Sequence, residues 1–265
     1  MEINKSGIYD VIMNNGLGGK AVCLHSLLRS FGNVAGGADA VIEAFLEAGC
    51  TLLAPSFTYD YQIPPLEEPK QNGREDDCEP SNNGKIYNPG INEIEPDMGA
   101  IPRAMVNTPG RRRGIHPTNS FVALGPDADE LINSQTFEDV YAPFQKIMDK
   151  RGYIIMAGVD LTKMTAIHYA EQLSGRRLFI RWALDQTGDP VRIREGSCSE
   201  GFNRLLPFVA DIEKQVNAGN SLWRIYPFYE AVHVFTEIIR QDAGITHCSN
   251  QNCSCCNDIQ KGGPI

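Results

Sequence analysis

Short apolar runs alternate with amphipathic segments in the first part of the chain. Lys20-Ala21-Val22-Cys23-Leu24 reads as a buried strand, with His25 and Ser26 at its carboxyl end. Leu27 to Phe31 has room for a turn of helix. Residues 38–48 carry Val41, Ile42, Phe45 and Leu46 on one stripe and stop at Gly49, which predicts an amphipathic helix. Residues 51–55 form the next apolar run and lead into Ser56-Phe57-Thr58. Strand, helix and strand in so short a span make a parallel βαβ unit.

Further along, residues 98–106 read as a helix that tolerates Pro102 only near its first turn. Residues 121–124 read as a strand, 127–132 as a helix start and 153–158 as a buried strand. Leu161-Thr162-Lys163-Met164 then open a helix, with Asp160 or Thr162 as N-cap, and that helix carries His168 and Glu171. After Gly175 the pattern changes. Residues 177–184 and 190–194 alternate about Thr187-Gly188-Asp189, the signature of an antiparallel hairpin whose arginines line a sheet face. Residues 202–209 and 231–239 read as helices, and 221–229 as a strand and turn. The fold class expected is α/β: a mostly parallel central sheet flanked by helices, with an additional antiparallel hairpin in the C-terminal part. A single domain is expected over 1–246, its antiparallel and helical part at 176–246, followed by a Cys-rich tail at 247–265.

Chemistry in parallel sheets gathers beyond the carboxyl ends of the strands. His25, Ser26, Ser56 and Thr58 fall there, as does the start of the helix with His168. His168 and Glu171 share one face of that helix. An imidazole titrating near neutrality takes protons from nucleophiles, and a carboxylate stabilises the imidazolium that results. Gly36-Gly37 stands just before a helix, where free amides and the helix dipole suit a phosphate. Arg111-Arg112-Arg113 reads either as an exposed loop or as an attraction for phosphates.

Charge narrows the partners. The net charge of −9 argues against nucleic-acid binding and suits a cationic small molecule. No apolar run reaches the ~18 residues of a membrane span, and Met1-Glu2-Ile3-Asn4-Lys5 lacks a signal-peptide pattern, so the expected location is cytoplasmic. The aperiodic stretch 59–97 is proline-rich and acidic, with Asp60, Glu67, Glu68, Glu75, Asp76, Asp77, Glu79, Glu93, Glu95 and Asp97. It reads as an acidic rim for a polycation or as a solvated insertion. Of eight cysteines, Cys23, Cys50, Cys78 and Cys198 are scattered and expected to be reduced, with Cys23 packed in the core. In the tail, Cys248, Cys253 and Cys256 suit a zinc ion, with His247 or Cys255 as fourth ligand; the other reading is a reduced, solvent-facing tail.

His25-Ser26-Leu27, Val34-Ala35-Gly36-Gly37-Ala38, Pro55-Ser56-Phe57-Thr58, Met98-Gly99-Ala100, His116-Pro117-Thr118-Asn119-Ser120 and Thr165-Ala166-Ile167-His168-Tyr169-Ala170-Glu171 follow one another over residues 20–175. In order and spacing they resemble the aminoglycoside 3-N-acetyltransferase family. The resemblance implies acetyl-CoA-dependent transfer to the 3-amino group of a deoxystreptamine aminoglycoside, conferring antibiotic resistance, with no acetyl-enzyme. It implies His168 as general base, with Glu171 orienting it or binding the amine. His25, Ser26, Leu27, Val34, Gly36, Gly37, Ser56 and Thr58 would line the coenzyme site, with His116 either touching it or holding the loop. Backbone amides around Ser26 or 56–58 would receive the thioester oxygen, and Asp60, Glu93, Glu95, Asp97 and Glu171 the cationic sugar. Arg103 stands where the family often carries an acid, and the 59–97 insertion and the tail are not general family features. Two alternatives remain: an acyl-CoA-dependent N-acyltransferase for another amine, and a metal-binding regulatory module on the same fold.

Overall fold

The computed structural model describes residues 2–74 and 84–265. Glu75, Asp76, Asp77, Cys78 and Glu79 of the acidic loop lie outside the described residues. The strands are β1 (Glu2–Ile3), β2 (Ala21–Ser26), β3 (Asn33–Val34), β4 (Thr51–Pro55), β5 (Gln62–Ile63), β6 (Arg112–Arg113), β7 (Phe121–Leu124), β8 (Tyr153–Ala157), β9 (Phe179–Leu184), β10 (Pro190–Glu195), β11 (Lys214–Ala218) and β12 (Ser221–Pro227). The α-helices are α1 (Lys5–Asn14), α2 (Gly37–Glu47), α3 (Ala100–Met105), α4 (Ala128–Asn133), α5 (Ala142–Asp149), α6 (Ala166–Leu173), α7 (Phe228–Gln241) and α8 (Ser254–Gln260).

The main sheet has the order β11-β12-β8-β2-β4-β7-β6. It is parallel only across its centre, β8-β2-β4. The flanks are antiparallel, so the expectation of a mostly parallel sheet is corrected to a mixed one. The reason is local. A helical crossover returns a strand parallel, as α2 does between β2 and β4, whereas the tight turn at Gly219–Asn220 returns β12 against β11. The expected hairpin is β9–β10, and β5 extends it into a second, antiparallel sheet. Arg192 and Arg194 lie along its face on the two carboxylate oxygens of Glu138, at 2.8 and 2.9 Å.

Alternation along β2 sorts its residues between two cores. Val22 and Leu24 pack with α1, α2 and α3 on one face, where Trp223 stacks on Phe45 at 5.8 Å between ring centroids. Cys23 packs on the other face with Met156, α5, α6 and α7. Its neighbour two residues on, His25, shares that face and ends level with Met156 of β8. The strands of the parallel centre thus deliver their carboxyl ends toward α6.

Two helical expectations change. The segment after β8 is not one helix from Leu161. A 3-10 turn, Leu161–Lys163, is capped by Asp160, whose carboxylate accepts from the Thr162 N–H, and α6 starts afresh after Thr165. Residues 202–212 also form a 3-10 helix, interrupted by Pro207, which cannot donate an amide bond.

Candidate active site

His168 leaves the first turn of α6 and Glu171 follows one turn on. The imidazole Nδ1 lies 2.9 Å from Glu171 Oε2. Glu171 is wholly enclosed, whereas the His168 side chain keeps 12% of its surface exposed. The ring is held between Tyr141, stacked at 6.2 Å, and Phe202, edge-on at 4.9 Å. With Nδ1 committed to the carboxylate, Nε2 is the nitrogen left to act on a ligand.

Behind the imidazole, Glu171 accepts from Arg176 Nη1, from Thr246 Oγ1 at 3.0 Å and from Ser197 Oγ at 3.2 Å. Burial alone would raise its pKa. The hydrogen bond and charge of His168, the Arg176 guanidinium and the Thr246 hydroxyl outweigh that and hold the carboxyl below its ordinary range. The group is therefore an anion throughout the neutral range, with no face left for a substrate amine.

His168 opens on a cleft of about 340 Å³ at the carboxyl ends of β2, β4 and β8. Of the residues expected from sequence, His25, Ser26, Leu27, Asp97 and His168 line it. His25 is buried, and burial lowers its pKa to about 4, so it is neutral near pH 7. Ser26 Oγ is buried and has no hydrogen-bond partner among the described residues.

The other expected residues are not on the cleft wall, for identifiable reasons. Ser56 hydrogen-bonds the Ser120 carbonyl at 2.9 Å and Thr58 the Pro117 carbonyl at 2.6 Å. The amides of Leu27, Ser56 and Thr58 are bonded to the carbonyls of Ala157, Ser120 and Thr118, which removes these three as oxyanion donors. His116 is fully buried; its Nδ1 accepts from the Asn119 N–H at 3.0 Å and its Nε2 meets the Arg194 carbonyl at 3.1 Å. Burial lowers its pKa to about 3, so it is a neutral brace for the 116–119 turn. Val34 pairs with Ile3, and Gly36 and Gly37 open α2 with φ of 87° and 61°. Glu95 accepts the Tyr59 amide, and Glu93 the Tyr61 hydroxyl, while Asp60 lies 3.9 Å from Lys85. The basic run is likewise spent internally. Arg113 is buried and donates to the carbonyls of Ser56, Ile91 and Glu93, the half-buried Arg111 donates to those of Gly90 and Ile91, and the exposed Arg112 pairs with Asp129.

Sequence reasoning missed Tyr141 and the wall formed by Glu195, Gly196 and Ser197. Glu195 ends β10, buried and bonded by the Gln62 amide at 2.8 Å. Burial pushes its carboxyl above the ordinary value, against the opposing charge of Arg181. A lone acid closing an alternating strand before Gly-Ser was the available signal. Gly196 is required by contact rather than by backbone angle. A Cβ there would stand 2.6 Å from His168 Cγ and 2.6 Å from the Tyr141 hydroxyl. Gly196→Ala is expected to displace the imidazole and lower kcat at least tenfold, with the circular-dichroism spectrum unchanged. A variant with wild-type kcat would show that the imidazole tolerates the displacement.

A second cluster lies at the tail. The sulfurs of Cys198, Cys248, Cys253 and Cys256 are all within 4.8 Å of one another. The fourth member is Cys198, not His247 or Cys255. His247 bonds the Cys248 carbonyl and Asn257, and the Cys255 thiol reaches the Gly73 carbonyl. The tail is not solvent-facing: Cys248, Cys253 and Cys256 are buried.

A mixed sheet in an α/β fold, with its strand ends at a cleft that holds a half-buried histidine backed by an enclosed carboxylate, is the layout of an acid–base site acting on a small molecule. The profile of the aminoglycoside 3-N-acetyltransferase family matches residues 23–253, and the chain belongs to that family. It is 30% identical over 172 residues to aminoglycoside N(3)-acetyltransferase IX of Micromonospora chalcea, covering 60% of this chain and 58% of that protein. It is 30% identical over 204 residues to aminoglycoside N(3)-acetyltransferase VIII of Streptomyces fradiae, covering 71% and 70%. The chain thus spans somewhat over half the length of the first of these relatives and about 70% of the second. The crystal structure of aminoglycoside acetyltransferase AAC(3)-IVa superposes with a TM-score of 0.79 at 22% identity, over 99% of this chain and 98% of that one. Among the described residues, no helix is long and apolar enough to cross a membrane.

Proposed function

We propose that this chain is an acetyl-CoA-dependent N-acetyltransferase acting in the cytoplasm on the 3-amino group of a deoxystreptamine aminoglycoside, with His168 as general base. The observation that carries the reading is the His168–Glu171 pair: one imidazole nitrogen on a fully enclosed anion, the ring at the wall of a cleft. Family membership supplies the substrate class. Of the proteins sharing the fold, AAC-IIIb was solved as a binary complex with CoASH, and a His-to-Ala mutant of AAC(3)-IVa in complex with a gentamicin.

An aminoglycoside amine is largely protonated near pH 7 and attacks only once deprotonated. His168 Nε2 takes that proton, and Glu171 stabilises the imidazolium. Once that first proton has passed to solvent, the nitrogen lone pair adds to the thioester carbonyl carbon, His168 Nε2 takes the second N–H proton from the adduct, the C–S bond breaks, and the imidazolium gives this second proton to the departing coenzyme A thiolate. No acetyl-enzyme forms. The Ser26 hydroxyl, buried on the cleft and without a hydrogen-bond partner among the described residues, is the proposed donor to the thioester oxygen as it gains charge. Gly36 and Gly37 offer the amino end of α2 to the coenzyme phosphates.

Among the described residues, Asp97 and Glu195 are the carboxylates on the cleft wall, and they are the proposed contacts for the cationic sugar. Asp97→Asn is expected to raise KM for gentamicin two- to fivefold, equivalent to ~0.4–1 kcal/mol at an exposed charge, with KM for acetyl-CoA unchanged. Lys163 on the same wall favours a second reading, a less cationic amine as natural acceptor; an unchanged KM for the drug would support it. The test of the main reading is thiol release from acetyl-CoA on adding gentamicin, sisomicin or kanamycin. Absence of turnover with every aminoglycoside would overturn it.

A further inference from the structure

The four clustered cysteines come from two distant places in the chain. Cys198 follows β10, and Cys248, Cys253 and Cys256 surround the start of α8. A tetrahedral zinc–thiolate centre has Zn–S bonds of ~2.3 Å and therefore sulfur–sulfur edges of about 3.8 Å. Sulfurs already within 4.8 Å of one another need shifts of about an ångström or less to close on one ion. The set contains thiols alone, which select zinc over hard cations such as magnesium or calcium. The Cys248 N–H also points at Cys256 Sγ, 3.3 Å away, the outer hydrogen bond a ligating thiolate accepts. The cysteines pack on one another as a small cluster apart from the two main cores. Residues 247–265 bury little else that is apolar, so a metal would supply what the tail lacks in core.

The cluster adjoins the candidate active site on both strands of chain that support Glu171. Cys198 follows Ser197, whose hydroxyl bonds Glu171 Oε2, and Ser199 lines the cleft. On the other side, Cys248 lies two residues past Thr246, whose hydroxyl bonds Glu171 Oε1.

We propose that Cys198, Cys248, Cys253 and Cys256 bind one structural Zn²⁺ as four thiolates, and that the ion pins the 195–199 wall and Thr246 around the His168–Glu171 pair. Binding releases the four thiol protons to solvent. The positioning half of the proposal rests on the acetyltransferase reading; the metal half does not, because it is read by metal content.

The experiment is elemental analysis of the full chain purified under reducing conditions, together with cobalt substitution. One zinc per chain is expected in the wild type and in Cys255→Ser, whose sulfur lies outside the cluster. Co²⁺ in place of zinc is expected to give the intense visible bands and thiolate charge-transfer absorption of a tetrahedral four-sulfur site. Cys198→Ser is expected to lose at least tenfold in zinc affinity. Should that variant not fold, the wild-type cobalt spectrum decides alone. Chelation of the wild type is expected to lower the melting temperature and kcat, with KM for acetyl-CoA little changed, and added zinc to restore both. Metal-free wild type with no cobalt–thiolate spectrum, or the four sulfurs recovered as two disulfides, would overturn the site. Zinc held equally well by Cys198→Ser would overturn the fourth ligand. A chelated protein with full kcat would overturn the positioning role, and zinc without turnover in any protein would overturn the acetyltransferase reading and the positioning role with it, while leaving the metal site standing.

Discussion

Replacing His168 with alanine is expected to lower kcat by about 10²–10⁴-fold, the range for loss of a general base, while KM for acetyl-CoA stays near wild type. The side chain lines the cleft with 12% of its surface exposed, so its loss removes little binding surface. What it removes is the acceptor for the amine proton. The amine then attacks only from the small fraction already neutral in solution, so the residual rate of the variant should climb with pH beyond the range where the wild type levels off. The measurement is the pH profile of kcat for both proteins. A variant retaining wild-type kcat near pH 7 would remove His168 from the chemistry and leave the family resemblance without a base.

Glu171→Ala is expected to cost stability as well as activity. Glu171 and Arg176 are both buried, and the guanidinium would be left in the interior with the Thr246 hydroxyl and the Ala243 carbonyl as its partners. Removing one member of such a pair costs about 3–5 kcal/mol, which for a chain of this size is a fall in melting temperature on the order of 10 °C. The pH dependence gives the sign. The Glu171 carboxyl is held below its ordinary value of 4.5 in the folded state. Its stabilising contribution is therefore complete above the unfolded value and lost as pH falls through the lower folded one. Thermal unfolding followed from neutral pH to acid should show this contribution in the wild type and a flatter acid limb in Glu171→Ala. Equal melting temperatures for the two proteins across that range would mean that the buried carboxylate contributes nothing.

Much of this was legible in the sequence because the periodicities are local. The β2–α2–β4 unit, the β9–β10 hairpin and the three-residue spacing of His168 and Glu171 each lie within one continuous stretch. What was not legible depends on pairs far apart in the chain. Glu195 enters the cleft because the second sheet delivers the end of β10 there, and Cys198 joins the tail because α8 folds back onto the segment beyond β10. Ser56 and Thr58 are polar motif residues just past the end of β4, where ligands usually sit, and His116 is a motif residue of the loop between β6 and β7. Their side chains instead satisfy buried carbonyls and amides of the 116–120 turn, a demand that motif spacing does not reveal. The sequence suggests a mostly parallel sheet because β11 is too polar to announce the hairpin that turns β12 around.

The most direct test is a ternary complex of the protein with coenzyme A thiol and gentamicin, solved at a resolution that places the drug's 3-amino nitrogen. The result expected is that nitrogen about 3 Å from His168 Nε2, within hydrogen-bond reach, with the coenzyme sulfur beside it and His168 Nδ1 still on Glu171. A drug bound with its 3-amino group turned away from His168, or a coenzyme thiol outside the cleft, would contradict it.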